Sequence, residues 1–103
     1  MGAFFRAAAA ADIPPGTGKV VVVMGREVGL FNVGGTFRAI DNICPHSFRP
    51  IGAVDFDGKV VTCLWHGLGF DVGDGRCLQT TEFCVETYPV RVEDGQVMVS
   101  LGR

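Results

Sequence analysis

Apolar runs rich in β-branched and aromatic residues alternate along the chain with glycine-centred turns. The runs are KVVVVM (19–24), VGLFNV (28–33), TFRAID (36–41), KVVTCL (59–64), VETYPVRV (85–92) and QVMVSL (96–101). Pro15-Gly16, Gly34-Gly35, Asp57-Gly58, Gly73-Asp74-Gly75 and Asp94-Gly95 punctuate them. Gly-Gly and Asp-Gly between such runs predict hairpins, because the central residues of a tight hairpin turn take positive φ. In VRVEDGQVMVSL, strand alternation predicts Val90, Val92, Val97, Val99 and Leu101 on the inward face. No window of ten or more residues carries a helical period. AAAAADI (7–13) is the best helical candidate, with a strand end followed by a single turn as its alternative. The pattern predicts an all-β fold, a small antiparallel sandwich or barrel. It shows no internal repeat, low-complexity tract or linker.

A chain of 103 residues is too short to close two hydrophobic cores, so one domain spanning 1–103 is expected. With 48% hydrophobic and 19% charged residues, the disorder signature is absent. A net charge of −2 and singly scattered Lys and Arg argue against nucleic acid, which selects a basic stripe. The opening MGAFFRAAAAADIPPG has no basic residue ahead of its apolar patch, and Arg6 interrupts it. Pro14 and Pro15 end the patch short of the ~20 apolar residues of a membrane span. Ser or Thr is also missing where myristoylation would require it. A cytoplasmic protein with no membrane partner is expected. In that compartment four cysteines are metal ligands or buried thiols rather than disulfides.

Residues 44–67 read CPHSFRPIGAVDFDGKVVTCLWHG and contain both histidines of the chain. Cys44 and His46 follow strand 36–41, and Cys63 and His66 are delivered by strand 59–64 after the Asp57-Gly58 turn. Two loops at hairpin ends can then meet at one tip, each bringing one thiol and one imidazole. A two-cysteine, two-histidine set suits zinc or iron. An ordinary zinc finger groups its cysteines in one knuckle and its histidines on a helix, whereas here each pair is mixed and no helix follows. A mixed zinc site stays open. A two-iron cluster with two thiolates on one iron and two imidazoles on the other also fits, since each loop would straddle both irons.

The residues CPH, CLWHG, GFDVGDG and YPVRVEDGQVMV, with ADIPPG and FRAIDNICPH upstream, resemble the Rieske-type [2Fe–2S] ferredoxins of bacterial ring-hydroxylating oxygenase systems. The resemblance covers nearly the whole chain and centres on about residues 42–72. It implies a Rieske-like β-sandwich or barrel with two cluster-binding loops at one tip and one [2Fe–2S] cluster per chain. Cys44 and Cys63 would hold the deeper iron. His46 and His66 would hold the outer iron through Nδ1, with Nε2 facing solvent. Replacing two thiolates by neutral imidazoles removes about two negative charges, so an added electron costs less than in an all-thiolate cluster. Loss of a proton from those histidines in the oxidised state would lower the potential as pH rises.

Respiratory Rieske proteins of high potential tie their loops with a disulfide, at positions that here are Arg49 and Trp65. They also aim a serine and a tyrosine hydroxyl at cluster sulfur, where this chain has Leu68 and Phe70. Lacking both devices, this chain is expected at the low end of the Rieske range, roughly −150 mV. It departs from many relatives in having Phe48 where glycine is common. It also has TTEF (80–83) where a covering loop usually carries proline.

Trp65, Phe48 and Pro50 would shield the cluster, or form an apolar rim for a partner, with Arg49 guiding an acidic patch. Cys77 and Cys84 are expected as buried thiols in the β core. Gly67 and Gly69 would let backbone N–H groups approach cluster sulfur, or simply form a tight turn. Asp55, Asp57, Asp71 and Asp74 read as turn formers.

The resemblance implies a one-electron carrier rather than an enzyme, taking electrons from a flavoprotein reductase and passing them to a terminal oxygenase. Both partners would dock transiently at the His46/His66 tip. Oxygenase catalysis would need two further histidines for a mononuclear iron, and both histidines here are already assigned. The alternatives are a Rieske-like small subunit of an NAD(P)H-dependent nitrite reductase, fixed within its enzyme, and a zinc-stabilised interaction module.

Overall fold

The computed structural model describes residues 3–44, 50–53, 55–63 and 67–101. Among these residues nine strands follow in order: β1 (Phe4–Ala9), β2 (Gly18–Val23), β3 (Arg26–Val33), β4 (Thr36–Asp41), β5 (Val60–Thr62), β6 (Gly69–Asp71), β7 (Thr87–Tyr88), β8 (Val90–Glu93) and β9 (Gln96–Ser100). A single 3-10 turn, Ala10–Asp12, follows β1. Among the described residues the ladders are all antiparallel, in sheets ordered β1-β9-β8, β2-β3-β4-β7 and β5-β6.

The hairpins form where the sequence places residues tolerant of positive φ. Gly34 and Gly35 (φ 60° and 99°) join β3 to β4, and Asp94 and Gly95 (52° and 75°) join β8 to β9. Two-residue turns of this kind match the twist of the strands they connect. Met24 and Gly25 (50° and 79°) do the same between β2 and β3, although methionine is an unusual residue in that conformation.

The segment AAAAADI divides as its alternative anticipated, the end of β1 followed by one turn. VETYPVRV is not one strand. Pro89, without an N–H to donate, breaks it, so Tyr88 faces Ala39 on β4 while Val90 faces Val99 on β9. One apolar run thereby serves two sheets. The short β6 lies outside the six apolar runs, as does β1, whose last three residues open the AAAAADI segment.

Strand alternation sends neighbouring side chains of β3 and β4 to opposite faces and builds two cores. Val28 and Leu30 join Val21, Val23, Ala39, Tyr88, Val97 and Val99 on one face, covered by β1, β9 and β8. Phe31 and Ile40 turn the other way, to Cys44, Ile51, Val61, Cys63, Phe70, Val72, Cys77 and Val85. The Phe31 ring meets the Phe56 ring at 4.6 Å between centroids. It lies so close to Gly18 that a Cβ there would come 2.4 Å from the ring.

Two sequence expectations fail. Val92, expected inward, lies opposite Val97 but is 49% exposed, because β8 is an edge strand and Val92 sits beside its turn. Cys84 is exposed rather than buried. It pairs with the exposed Arg76, whereas Cys77, one residue further along, turns to the opposite face and enters the core.

Candidate metal centre

Two of the four proposed ligands, Cys44 and Cys63, are fully buried and belong to the same apolar cluster. His46 and His66 lie outside the described residues, as do Phe48, Arg49 and Trp65. No disulfide engages any of the four cysteines. Among the described residues no group of three or more metal-ligating side chains gathers, as follows when half the predicted set falls outside them.

The first box opens from β4. Immediately after that strand, Ile43 pairs with Pro50 across the neck of the loop. Asn42, only 3% exposed, organises this neck. Its carbonyl accepts from Ile51 N–H at 3.0 Å, and its Oδ1 accepts from Gly52 N–H at 3.0 Å. Its Nδ2 donates to Glu27 Oε1, also at 3.0 Å, which ties the neck to β3. A buried amide must find partners, and this one joins three segments of chain.

The second box opens from the β5–β6 hairpin, in which Thr62 faces Gly69. Cys63 N–H donates to Leu68 O at 2.8 Å, and Gly67 N–H donates back to Cys63 O at 3.1 Å. Gly67 holds a φ of 70°, which a side chain would disfavour. Its tight-turn role is therefore the one the geometry supports. The N–H of Gly69 is likewise engaged within the protein, donating to Gln79 Oε1 at 2.9 Å. Neither glycine N–H has cluster sulfur as its only available acceptor.

The turns act as the carboxylates predicted. Asp57 Oδ1 accepts from Lys59 N–H (3.0 Å) and Val60 N–H (2.8 Å), closing the turn that starts β5. Those bonds, Val60 first, hold the Asp57 carboxyl below the usual carboxylate range. Asp71 accepts from Gly73 N–H and Asp74 from Arg76 N–H. Asp55 contributes through its backbone carbonyl, which accepts from Thr62 N–H at 2.8 Å. Near the first neck, burial raises the Asp41 carboxyl although the Arg26 charge opposes it, and Asp41 Oδ1 has no hydrogen-bond partner among the described residues. Arg26 Nη1 donates to the Tyr88 hydroxyl at 3.2 Å. Burial raises the Tyr88 phenol.

Leu68 packs against the cluster of buried residues that holds both cysteines, and Phe70 is fully buried within it. Neither brings a hydroxyl. Two buried thiols outside any disulfide, each at the mouth of a pinned loop and walled by apolar side chains, fit the thiolate half of an iron–sulfur site. Asn42 and Gln79, which shape the two necks, do not stand out in the sequence. Their signal is faint: a polar amide beside an apolar run, which single-residue inspection reads as a loop residue.

The family model of the Rieske [2Fe-2S] domain matches residues 3–89. The ferredoxin component of a naphthalene 1,2-dioxygenase system from Pseudomonas aeruginosa is 36% identical over 92 residues, covering 87% of this chain and 88% of that protein. Among solved structures, a ferredoxin of Sphingomonas yanoikuyae B1 superposes with a TM-score of 0.83 at 27% identity, covering 95% of this chain and 98% of that one. A structure of the complex between reduced oxygenase and oxidised ferredoxin of carbazole 1,9a-dioxygenase contains a chain that superposes at 0.82 and 29% identity. The match covers 94% of this chain and 92% of that one.

Proposed function

The chain belongs to the Rieske [2Fe-2S] family, and we propose that it is the electron-carrying ferredoxin component of a ring-hydroxylating dioxygenase system acting on aromatic compounds. The observation that carries this reading is the match, along nearly the full length of both chains, to ferredoxin components rather than to a catalytic subunit alone. The whole chain, 1–103, serves as one Rieske domain. Pairing of β1 with β9 supports that extent, because it joins the two ends of the described chain.

Cys44, His46, Cys63 and His66 are the ligands in this reading, the cysteines to the inner iron and the histidines to the outer. When bound, the cluster supplies a reversible one-electron couple. The residues of the chain supply the rest. Burial of Cys44 and Cys63 keeps water from the thiolate side. The Asn42 bonds and the Cys63–Leu68 bond fix the two necks from which the proposed ligands extend. Leu68 and Phe70 offer no hydroxyl to draw charge from sulfur, which favours a potential at the low end of the Rieske range. This chain has no histidine left over for a mononuclear iron.

A flavoprotein reductase and a terminal oxygenase are the proposed partners, docking transiently at the tip that carries His46 and His66. Small, short-lived interfaces suit redox exchange. The oxygenase–ferredoxin complex of the carbazole system, one chain of which superposes on this one, supports the oxygenase partner. No described helix is long and apolar enough to cross a membrane, and a cytoplasmic location belongs to the proposal.

The test is to purify the protein, record its visible and EPR spectra after reduction, and follow reduction by a flavoprotein reductase and reoxidation by an oxygenase. A red-brown protein with a Rieske EPR signal that turns over with both partners is expected. A colourless, EPR-silent zinc protein would sink the assignment. Isolation only as a tight complex with a larger flavoenzyme would replace the shuttle by a fixed subunit.

A further inference from the structure

β6 has a neighbour on each side. On one side it pairs with β5. On the other, Phe70 faces Cys77 in the segment that follows the Gly73–Gly75 turn. Two backbone bonds frame that bridge: Asp71 N–H donates to Arg76 O, and Leu78 N–H donates to Gly69 O, both at 2.9 Å. An antiparallel ladder repeats this pattern every two residues, so its next bond would run from Gly69 N–H to the Leu78 carbonyl. The structure holds a different bond there. Gly69 N–H donates to the side-chain Oε1 of Gln79 at 2.9 Å. An amide side chain thus takes the place of a strand carbonyl, and the ladder stops one step early. The same oxygen lies 3.6 Å from Cys77 Sγ and can accept from that thiol.

The substitution has consequences for the second box. Gly69 is buried, so without Gln79 its N–H would be a buried donor lacking a partner, which costs more than the bond contributes when formed. With its N–H on Gln79 and its carbonyl on Leu78, Gly69 is fixed from outside the hairpin. Its neighbour Leu68 carries the carbonyl that receives Cys63 N–H at 2.8 Å. A continuous path therefore runs from Gln79 through Gly69 and Leu68 to Cys63. The residues beyond Gln79 are released from strand geometry, and Phe83 packs against the cluster that holds both cysteines.

We propose, on the ligand assignment made above, that Gln79 is a positioning residue for the Cys63 side of the metal centre. Its amide oxygen clamps the second loop neck to the 77–84 segment. It does through a side chain what a longer strand would do through backbone.

The test compares holoprotein of wild type, Gln79→Met and Gln79→Glu. Methionine keeps the length of the side chain without a strong acceptor; glutamate keeps the acceptor oxygen. Hydrogen exchange read by mass spectrometry reports the Gly69 amide, while EPR and the midpoint potential report the surroundings of Cys63. Gln79→Met is expected to speed exchange in the Gly69 peptide about 5- to 150-fold, the range for a buried donor left without a partner. It is also expected to shift the midpoint potential and broaden the EPR lines, with β8 and β9 peptides unchanged. Gln79→Glu should restore slow exchange and narrow lines. Wild-type exchange and EPR in Gln79→Met would overturn the proposal. So would an equal rise across β8 and β9, or a failure of Gln79→Glu to restore the Gly69 peptide. Absence of any iron–sulfur spectrum in wild type would instead defeat the ligand assignment, and the exchange comparison would still decide the clamp.

Discussion

The two faces of the β2-β3-β4-β7 sheet are held in different ways. Its base face is covered by β1, β9 and β8, and its core is Val, Leu, Ala, Ile and Tyr contributed mainly by regular strands. Its metal face is covered by the two-stranded β5-β6 sheet and by chain outside any strand, and three of the four cysteines are buried there. Backbone ladders carry the first. The second depends on side chains that bond to backbone: Asn42 to Gly52, Asp57 to Lys59 and Val60, Gln79 to Gly69. A ladder is generic and tolerates substitution of its side chains, whereas each of these bonds needs one residue type at one position. The metal face gains definition from such bonds and, in the proposed reading, from metal ligation, at the cost of robustness.

The largest test of this contrast is ligand removal. Cys44→Ser or Cys63→Ser should abolish the visible spectrum and leave iron content near zero. Because metal binding is coupled to folding, the metal face should lose its hydrogen-exchange protection while β8 and β9 keep theirs. Equal loss on both faces would mean that they form one cooperative unit.

Core truncations come next. Phe31→Ala removes a fully buried ring from the metal face and should cost about 3–5 kcal/mol in chemical denaturation, with faster loss of iron. Val97→Ala on the base face should cost about 2 kcal/mol and leave the EPR spectrum unchanged. A spectral change in Val97→Ala would show that the two faces communicate through the sheet.

Asn42→Ala leaves the Gly52 N–H and Glu27 without their partner and should cost about 1–3 kcal/mol. Exchange should quicken at the first neck, around Ile51 and Gly52, and not at Gly69, since the two necks are pinned by separate amides.

The smallest effect is on pH. The Asp41 carboxyl is raised in the folded protein, so folding takes up protons there. Its contribution is stabilising below the unfolded carboxylate pKa of about 3.9 and is lost as pH rises through the folded value. Asp57 has the opposite sign: its lowered carboxyl stabilises above that unfolded value, and the contribution is lost as pH falls through the folded one. Asp41→Asn should therefore reduce the decline in stability on raising pH through the weakly acidic range. Asp57→Asn should reduce the decline on acidification. Denaturation midpoints measured across that range decide both, and an unchanged slope in Asp41→Asn would contradict a raised Asp41 carboxyl.

Much of the base face was legible in the amino-acid pattern. TFRAID is β4 residue for residue, and KVVVVM, VGLFNV and QVMVSL each lie within two residues of β2, β3 and β9. Strand alternation and positive-φ turns are local properties, so the chain announces them. The spacing of Cys44, His46, Cys63 and His66 stands out in the sequence because the proposed ligands are particular residue types, and of that set the structure places the two cysteines in one buried cluster. The partition of VETYPVRV between two sheets was not legible, because it depends on which strands lie beside Tyr88 and Val90 after folding. Nor was the exposure of Val92 or Cys84, which follows from an edge and a change of face. Residue types and their spacing were enough to specify an all-β chain with a mixed cysteine–histidine motif. The roles of Asn42 and Gln79 at the two loop necks emerged only on folding, because an amide side chain acquires such a role once distant backbone N–H groups are buried within its reach.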